Sequence, residues 1–239
     1  MENSLLRWLP VVAVAIVLAA CAPTPGGLSE PILRKAQWNA TAGGEDLREG
    51  CAAGRPSRWR LVYNAVWEEQ VRVYEIERLP AGEGARLVAT VIQGAPRVLQ
   101  AYLMRLGGQP GTRVAESRLS GPQLSALLRA MDEAGFARRP EDGTRLASGD
   151  FYWLASACAD GAWHLNAWRR GDPGFQRLGF DELLFALDQM GVEPNRPRGI
   201  DPSRRALEAG EPVGGRGFRD ESFEFLIRGG RIWRPGYGS

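Results

Sequence analysis

The chain of 239 residues is short of several parts that enzyme chemistry needs. It has one histidine, His164, and three cysteines, Cys21, Cys51 and Cys158. No CxxC or HxxxH spacing occurs, so no metal site is predicted. Lys35 is the one lysine, and 30 Lys+Arg against 28 Asp+Glu leaves a net charge of +2. That balance gives no electrostatic footprint for nucleic acid. No run approaches the roughly 20 apolar residues of a membrane-spanning helix. The glycine-rich pieces Gly107-Gly108, Gly214-Gly215-Arg216-Gly217 and Gly229-Gly230 lead into no helix through Lys-Ser/Thr. A phosphate loop and a dinucleotide fingerprint are therefore excluded, and no cofactor is expected. What the chain does have is a composition that can pack. It is 44% hydrophobic and 24% charged, with 8 Trp, 8 Phe and 5 Tyr, which excludes a wholly disordered or collagenous polymer.

The N-terminus carries the most specific pattern. After Arg7, residues 9–18 (LPVVAVAIVL) form an apolar run, and small residues then lead into Cys21. This is signal-peptide anatomy. Leu18-Ala19-Ala20-Cys21 closely resembles the lipobox of bacterial lipoproteins. In that family the cysteine thiol is diacylated, the chain is cut just before it, and the new amine is usually acylated as well. The resemblance implies a signal peptide over residues 1–20 and lipidation of Cys21, with the membrane as a partner through its acyl chains. Ala22 stands where an Asp often retains such proteins in the inner membrane, so the outer membrane, facing the periplasm, is favoured. The alternatives are a plain signal peptide cut near Ala20 and an uncleaved short anchor.

With Cys21 taken by lipid, Cys51 and Cys158 remain as an even pair in an oxidising compartment. A disulfide between them is predicted, against the alternative of two buried free thiols.

Residues 21–50, rich in Pro, Gly and small polar residues, read as a lipidated tether. Residues 51–191 read as an α+β domain. Trp59, Leu61, Tyr63, Ala65 and Trp67 alternate with Arg58, Arg60 and Asn64, the period of a half-buried strand. Further strands are expected over 71–78, 86–93, 98–106 and 113–119, in a meander whose short connections require antiparallel pairing. Ser120 and Pro122 open a helix with Leu124, Leu127, Leu128 and Met131 on one face, stopped by Gly135. A second helix is expected from Phe180 or Asp181 to Met190. Between the helices, residues 151–169 form a hairpin about Asp160-Gly161, a pair suited to a type I′ turn. That turn pairs residues whose numbers sum to 321. The fold class expected is an antiparallel sheet, meander plus Asp-Gly hairpin, with two helices on one face. Residues 192–221 read as a Pro/Gly/Arg-rich linker or extended wrap. Residues 222–239 read as an apolar C-terminal segment that Gly229-Gly230 could fold into a hairpin. The helix–hairpin–helix layout is similar to one seen in uncharacterised small bacterial proteins; it implies the fold and no activity.

The register places Leu154, Ser156, Cys158, Trp163, Leu165 and Ala167 on one hairpin face, as core carrying the disulfide. Trp153, Ala155, Ala157, His164, Asn166 and Trp168 share the other. Trp153 and Trp168, edged by His164 and Asn166, could form an aromatic platform for a sugar or a protein patch. The alternative is a cross-strand pair that stabilises the hairpin or is covered by another element. Ser156 lies on the opposite face from His164, so no triad and no catalytic residue is named. The expected role is non-enzymatic, a binding or accessory function towards another envelope protein or glycan. The alternative is a glycan- or peptidoglycan-acting hydrolase whose paired carboxylates sequence cannot reveal.

Overall fold

The computed structural model describes residues 42–67, 69–93, 112–200 and 224–233. The signal segment, Cys21, the strand expected over 98–106 and residues 201–221 of the linker lie outside the described residues. The architecture is mostly antiparallel sheet. Six strands, β1 (Arg58–Ala65), β2 (Gln70–Arg78), β3 (Ala85–Gln93), β4 (Thr112–Leu119), β6 (Phe151–Ala159) and β7 (Ala162–Arg169), lie in the order β4-β3-β2-β1-β6-β7. A second sheet has the order β5-β8-β9, from β5 (Arg145–Ala147), β8 (Glu224–Arg228) and β9 (Arg231–Trp233). Among the described residues, the helices α1 (Glu45–Glu49), α2 (Gly121–Glu133) and α3 (Phe180–Leu187) accompany them.

Local chemistry accounts for most of these elements. Asp160 and Gly161 have φ of 51° and 79°, so the β6–β7 turn has the two positive φ angles of type I′. The register follows from that turn: Trp153 faces Trp168, Ser156 faces Leu165 and Cys158 faces Trp163. Helix α2 opens with a capping box, in which the Ser120 hydroxyl accepts from Gln123 N and Gln123 Oε1 accepts from Ser120 N. It closes on Gly135 at φ 82°, where Gly135 N donates to Asp132 O and Phe136 N to Met131 O. Helix α3 ends at Leu187 rather than Met190. Asp188 leaves the helical conformation (ψ 112°), and its carboxylate turns to the side chains of Arg72 and Tyr74.

One apolar cluster joins Leu61, Tyr63, Tyr74, Ile76, Leu87 and Trp153 of the sheet to Leu124, Leu127 and Met131 of α2 and Phe180 and Leu184 of α3. The opposite face is covered as well. Val62, Leu154 and Leu165 are buried outside that cluster, as are Leu146, Phe225 and Ile227 of the second sheet. This corrects the period-two reading of β1. Arg60 and Asn64 are 6% and 0% exposed, because α1 and the loop before β6 cover the face they occupy.

One segment assignment changes, and two take definite form. Residues 42–50 belong to the domain and not to the tether: Leu47 of α1 is buried, and Asp46 bonds Arg60. The part of the linker described, residues 192–200, is an ordered wrap. Its carbonyls accept from Tyr63 Oη (at Asn195, 2.7 Å) and Gln70 Nε2 (at Glu193, 3.0 Å). The C-terminal hairpin forms, with Gly229 and Gly230 at φ 57° and 68°, and β8 pairs with β5 in the small sheet.

Candidate functional site

The tryptophan face of the hairpin is a place where helix α2 ends, and not a surface. Trp153 and Trp168 are 1% and 6% exposed. Trp153 stacks on Tyr63 at 4.7 Å and meets Phe180 edge-on at 5.3 Å. Trp168 Nε1 donates to Ala134 O at 3.0 Å, and Asn166 Nδ2 to Gly135 O at 2.9 Å. Those carbonyls stand at the C-terminal end of α2, where no further turn of helix supplies donors. Of the two polar side chains expected to edge the platform, Asn166 thus satisfies a helix end. His164 is half-buried, 5.9 Å from the Phe136 ring. Ser156 faces α1 instead: a Cβ on Gly44 would stand 2.4 Å from its Oγ, which requires glycine there.

The buried charges form two clamps. Arg60 donates to both oxygens of Asp46, at 2.6 and 2.8 Å, and to Glu75 Oε1 from Nε and Nη2. This clamp ties α1 to β1 and β2. On the other face, Arg72 bonds Gln70, Asp188 and the Val192 carbonyl, tying β2 to the end of α3 and the wrap. For Asp46, burial alone would raise the pKa, but the Arg60 bonds and charge and two backbone amides outweigh it and hold the carboxyl below its usual range. The stability linked to this carboxylate is therefore present above the unfolded value near 4 and is lost as pH falls through the lower, folded one. Acidification below about pH 4 is expected to lower the amide protection factors of residues 45–49, taken against intrinsic exchange at the same pH, before the six-stranded sheet opens. Asp46→Asn should show low protection there at neutral and acid pH alike; wild-type protection that does not change with pH would refute the assignment.

Two surface hollows have carboxylates on their walls. A hollow of about 80 Å³ has Glu75 and Glu77 on its wall with Arg58 and Arg86. It is far below the roughly 300 Å³ at which small-molecule sites begin. A wider surface groove, about 310 Å³, has one carboxylate, Glu116, and Arg86 grips both its oxygens at 2.7 Å. That guanidinium holds the Glu116 carboxyl below its ordinary range, the opposite of what a general acid requires. Burial, with the adjacent charge of Glu182, pushes Asp181 up, but Asp181 lines neither hollow. No cluster of three or more His, Cys, Asp or Glu fit for a metal occurs among the described residues. No described helix is long and apolar enough to cross a membrane.

Two surface features remain. Strand β4 is an edge of the large sheet, with Val114 64% exposed. In the small sheet, Trp233 is 45% exposed beside Arg231. Sequence reasoning noticed the apolar run around Trp233 but named no residue there. Its signal was the alternation of Phe225 and Ile227 with Leu226 and Arg228. The disulfide links Cys51 to Cys158, with a Cα separation of 5.4 Å. No family model, curated protein or solved structure matches the chain.

Proposed function

We propose that the protein is an envelope lipoprotein, acylated on Cys21 and facing the periplasm, with the outer membrane favoured. Its folded domain serves a non-enzymatic binding or accessory role. The observation that carries the reading is the use of its three cysteines. The lipobox claims Cys21, and the other two are bridged, the state an oxidising compartment maintains. The domain's chemistry supports the second half. Asp46, Glu75, Glu116, Glu182 and Asp188 are each held by an arginine. The edge strand β4 offers backbone groups and the exposed Val114 to a protein partner that adds a strand. We take α2 and α3 to form a single layer on one face of the six-stranded sheet, since both feed the same apolar cluster.

Growth with an alkyne-bearing fatty acid tests the anchor. The wild-type chain is expected to take up label and sediment with membranes. Cys21→Ala should take up none and should leave the acyl-dependent membrane fraction. Label retained by Cys21→Ala, or none in the wild type, would reject the reading. Crosslinking of the tagged protein in cells then tests the binding role, with a stoichiometric envelope partner as the expected result.

A further inference from the structure

The three-stranded sheet has an outer face of its own, with Trp233 exposed on it. Phe225, Ile227 and Leu146 are fully buried, so the period of two turns their neighbours outward. Arg145, Leu226 and Trp233 form one row across the three strands, and Arg228 lies opposite Arg231 in the next. Trp233 and both of these arginines are exposed. Like charges directly opposite one another destabilise a strand pair. Neither Arg228 nor Arg231 has a salt-bridge partner among the described residues. The acid nearest the turn, Asp142, accepts from Gly229 N, and Glu224 is taken by Arg145. Two unpaired guanidinium groups beside an exposed indole match the chemistry of a lipid–water boundary. There an indole sits at headgroup depth and cations meet anionic lipid.

The position of this patch fits the same partner. A Cβ on Gly43 would stand 3.8 Å from Ile232 Cβ, so the chain enters the domain beside β9. Ala42 follows Cys21 by 21 residues, which reach at most about 75 Å when fully extended. An anchor on Cys21 therefore holds this edge of the domain within reach of the headgroups.

We infer that the outer face of the small sheet, through Arg228, Arg231 and Trp233, docks on anionic phospholipid headgroups and turns that side of the domain to the membrane. This rests on the lipoprotein reading and adds a second, weaker membrane contact to it. Each arginine at an anionic surface strengthens partitioning roughly fivefold, and salt weakens the effect.

The test reconstitutes the full purified chain into vesicles containing phosphatidylglycerol and lipids brominated near the headgroup, and follows tryptophan emission. Bromine is expected to quench part of the wild-type emission, and Trp233→Phe should lose that part. Arg228→Glu/Arg231→Glu should lose most of it, as should vesicles of phosphatidylcholine alone. Arg231→Glu by itself, which removes the opposed like charges, should lose a smaller share. Equal quenching in Trp233→Phe, or quenching indifferent to headgroup charge, overturns the docking. So does a photocrosslinker at position 233 that captures a protein and no lipid. The mass of the Cys21 peptide is read from the same preparation. An unacylated chain that still shows the quenching would refute the lipoprotein reading and leave the docking standing.

Discussion

Reduction of the Cys51–Cys158 bridge is expected to lower the unfolding free energy by roughly 3–5 kcal/mol. The two residues are 107 positions apart, so the bridge removes a large loop entropy from the denatured chain. It also fixes a local junction. Cys51 follows α1, and Cys158 lies near the end of β6, opposite Arg58 of β1 and Trp163 of β7. Around it the fit is close: a Cβ on Gly161 would stand 2.8 Å from Ala53 N, and Ser57 Oγ accepts from Asp160 N at 3.3 Å. Urea unfolding with and without dithiothreitol, and of Cys51→Ser/Cys158→Ser, should show a lower midpoint in both cases. The m-value should rise, because the reduced denatured chain is less compact. An unchanged midpoint would mean that the thiols are free in solution. It would also remove the oxidising compartment from the functional argument.

The parts of the fold that could be read from sequence are those set by neighbours in the chain. Asp160-Gly161 dictates the hairpin register, because a two-residue turn leaves no slack, and every pair from Tyr152–Arg169 to Ala159–Ala162 obeys it. Ser120 and Gly135, both read from the sequence, fix the two ends of α2 through bonds made within a few residues, and the structure adds Gln123 to the first of them. The pairing of Cys51 with Cys158 followed from arithmetic once Cys21 was assigned elsewhere. What stayed hidden depends on distant contacts. Strand β5 is three residues long, and its partner β8 begins 79 residues after the start of β5. No period can appear in so short a run. The end of α3 is set by Arg72, more than one hundred residues upstream of Asp188. Residues 42–50 have the composition of a tether, yet the one apolar side chain of α1, Leu47, is enough to dock it once Arg60 holds Asp46.

The site was harder to read for a related reason. Period-two patterning reports which residues share a face, but not whether that face meets water. Trp153, Asn166 and Trp168 were correctly grouped, and so were Arg60 and Asn64. Both groups turned out to lie in the interior, because this sheet is covered on two sides. A buried tryptophan and a ligand-binding one carry the same handle, an indole N–H that needs an acceptor. Here the acceptor is the Ala134 carbonyl. By contrast, Trp233 sits in a five-plus-three residue hairpin with Phe225 and Ile227 buried and Trp233 exposed, a division that the sequence reading left unassigned.

Asp188→Ala is expected to destabilise the domain by about 3–5 kcal/mol, the cost of leaving a buried charge without its counter-ion. Arg72 is 0% exposed and the Asp188 side chain 3%, so water cannot screen or replace the pair. The carboxylate also accepts from Tyr74 Oη at 3.0 Å and from Met190 N at 2.8 Å, and burial, then the Asp188 charge, push the tyrosine hydroxyl well up. Removing it therefore orphans three donors at once. With Arg72 released, the Val192 carbonyl loses its partner, and Gln70 is left to hold the wrap on β2. The double variant Arg72→Met/Asp188→Leu removes both charges together and should recover most of the loss, since a well-packed apolar pair often replaces a buried ion pair without cost. Urea midpoints of Arg72→Met, Asp188→Leu and the double variant measure the coupling directly. If Asp188→Ala cost less than about 1 kcal/mol, Gln70 and the Val192 carbonyl would suffice for Arg72. The end of α3 would then be fixed by Met190 and its apolar neighbours rather than by charge.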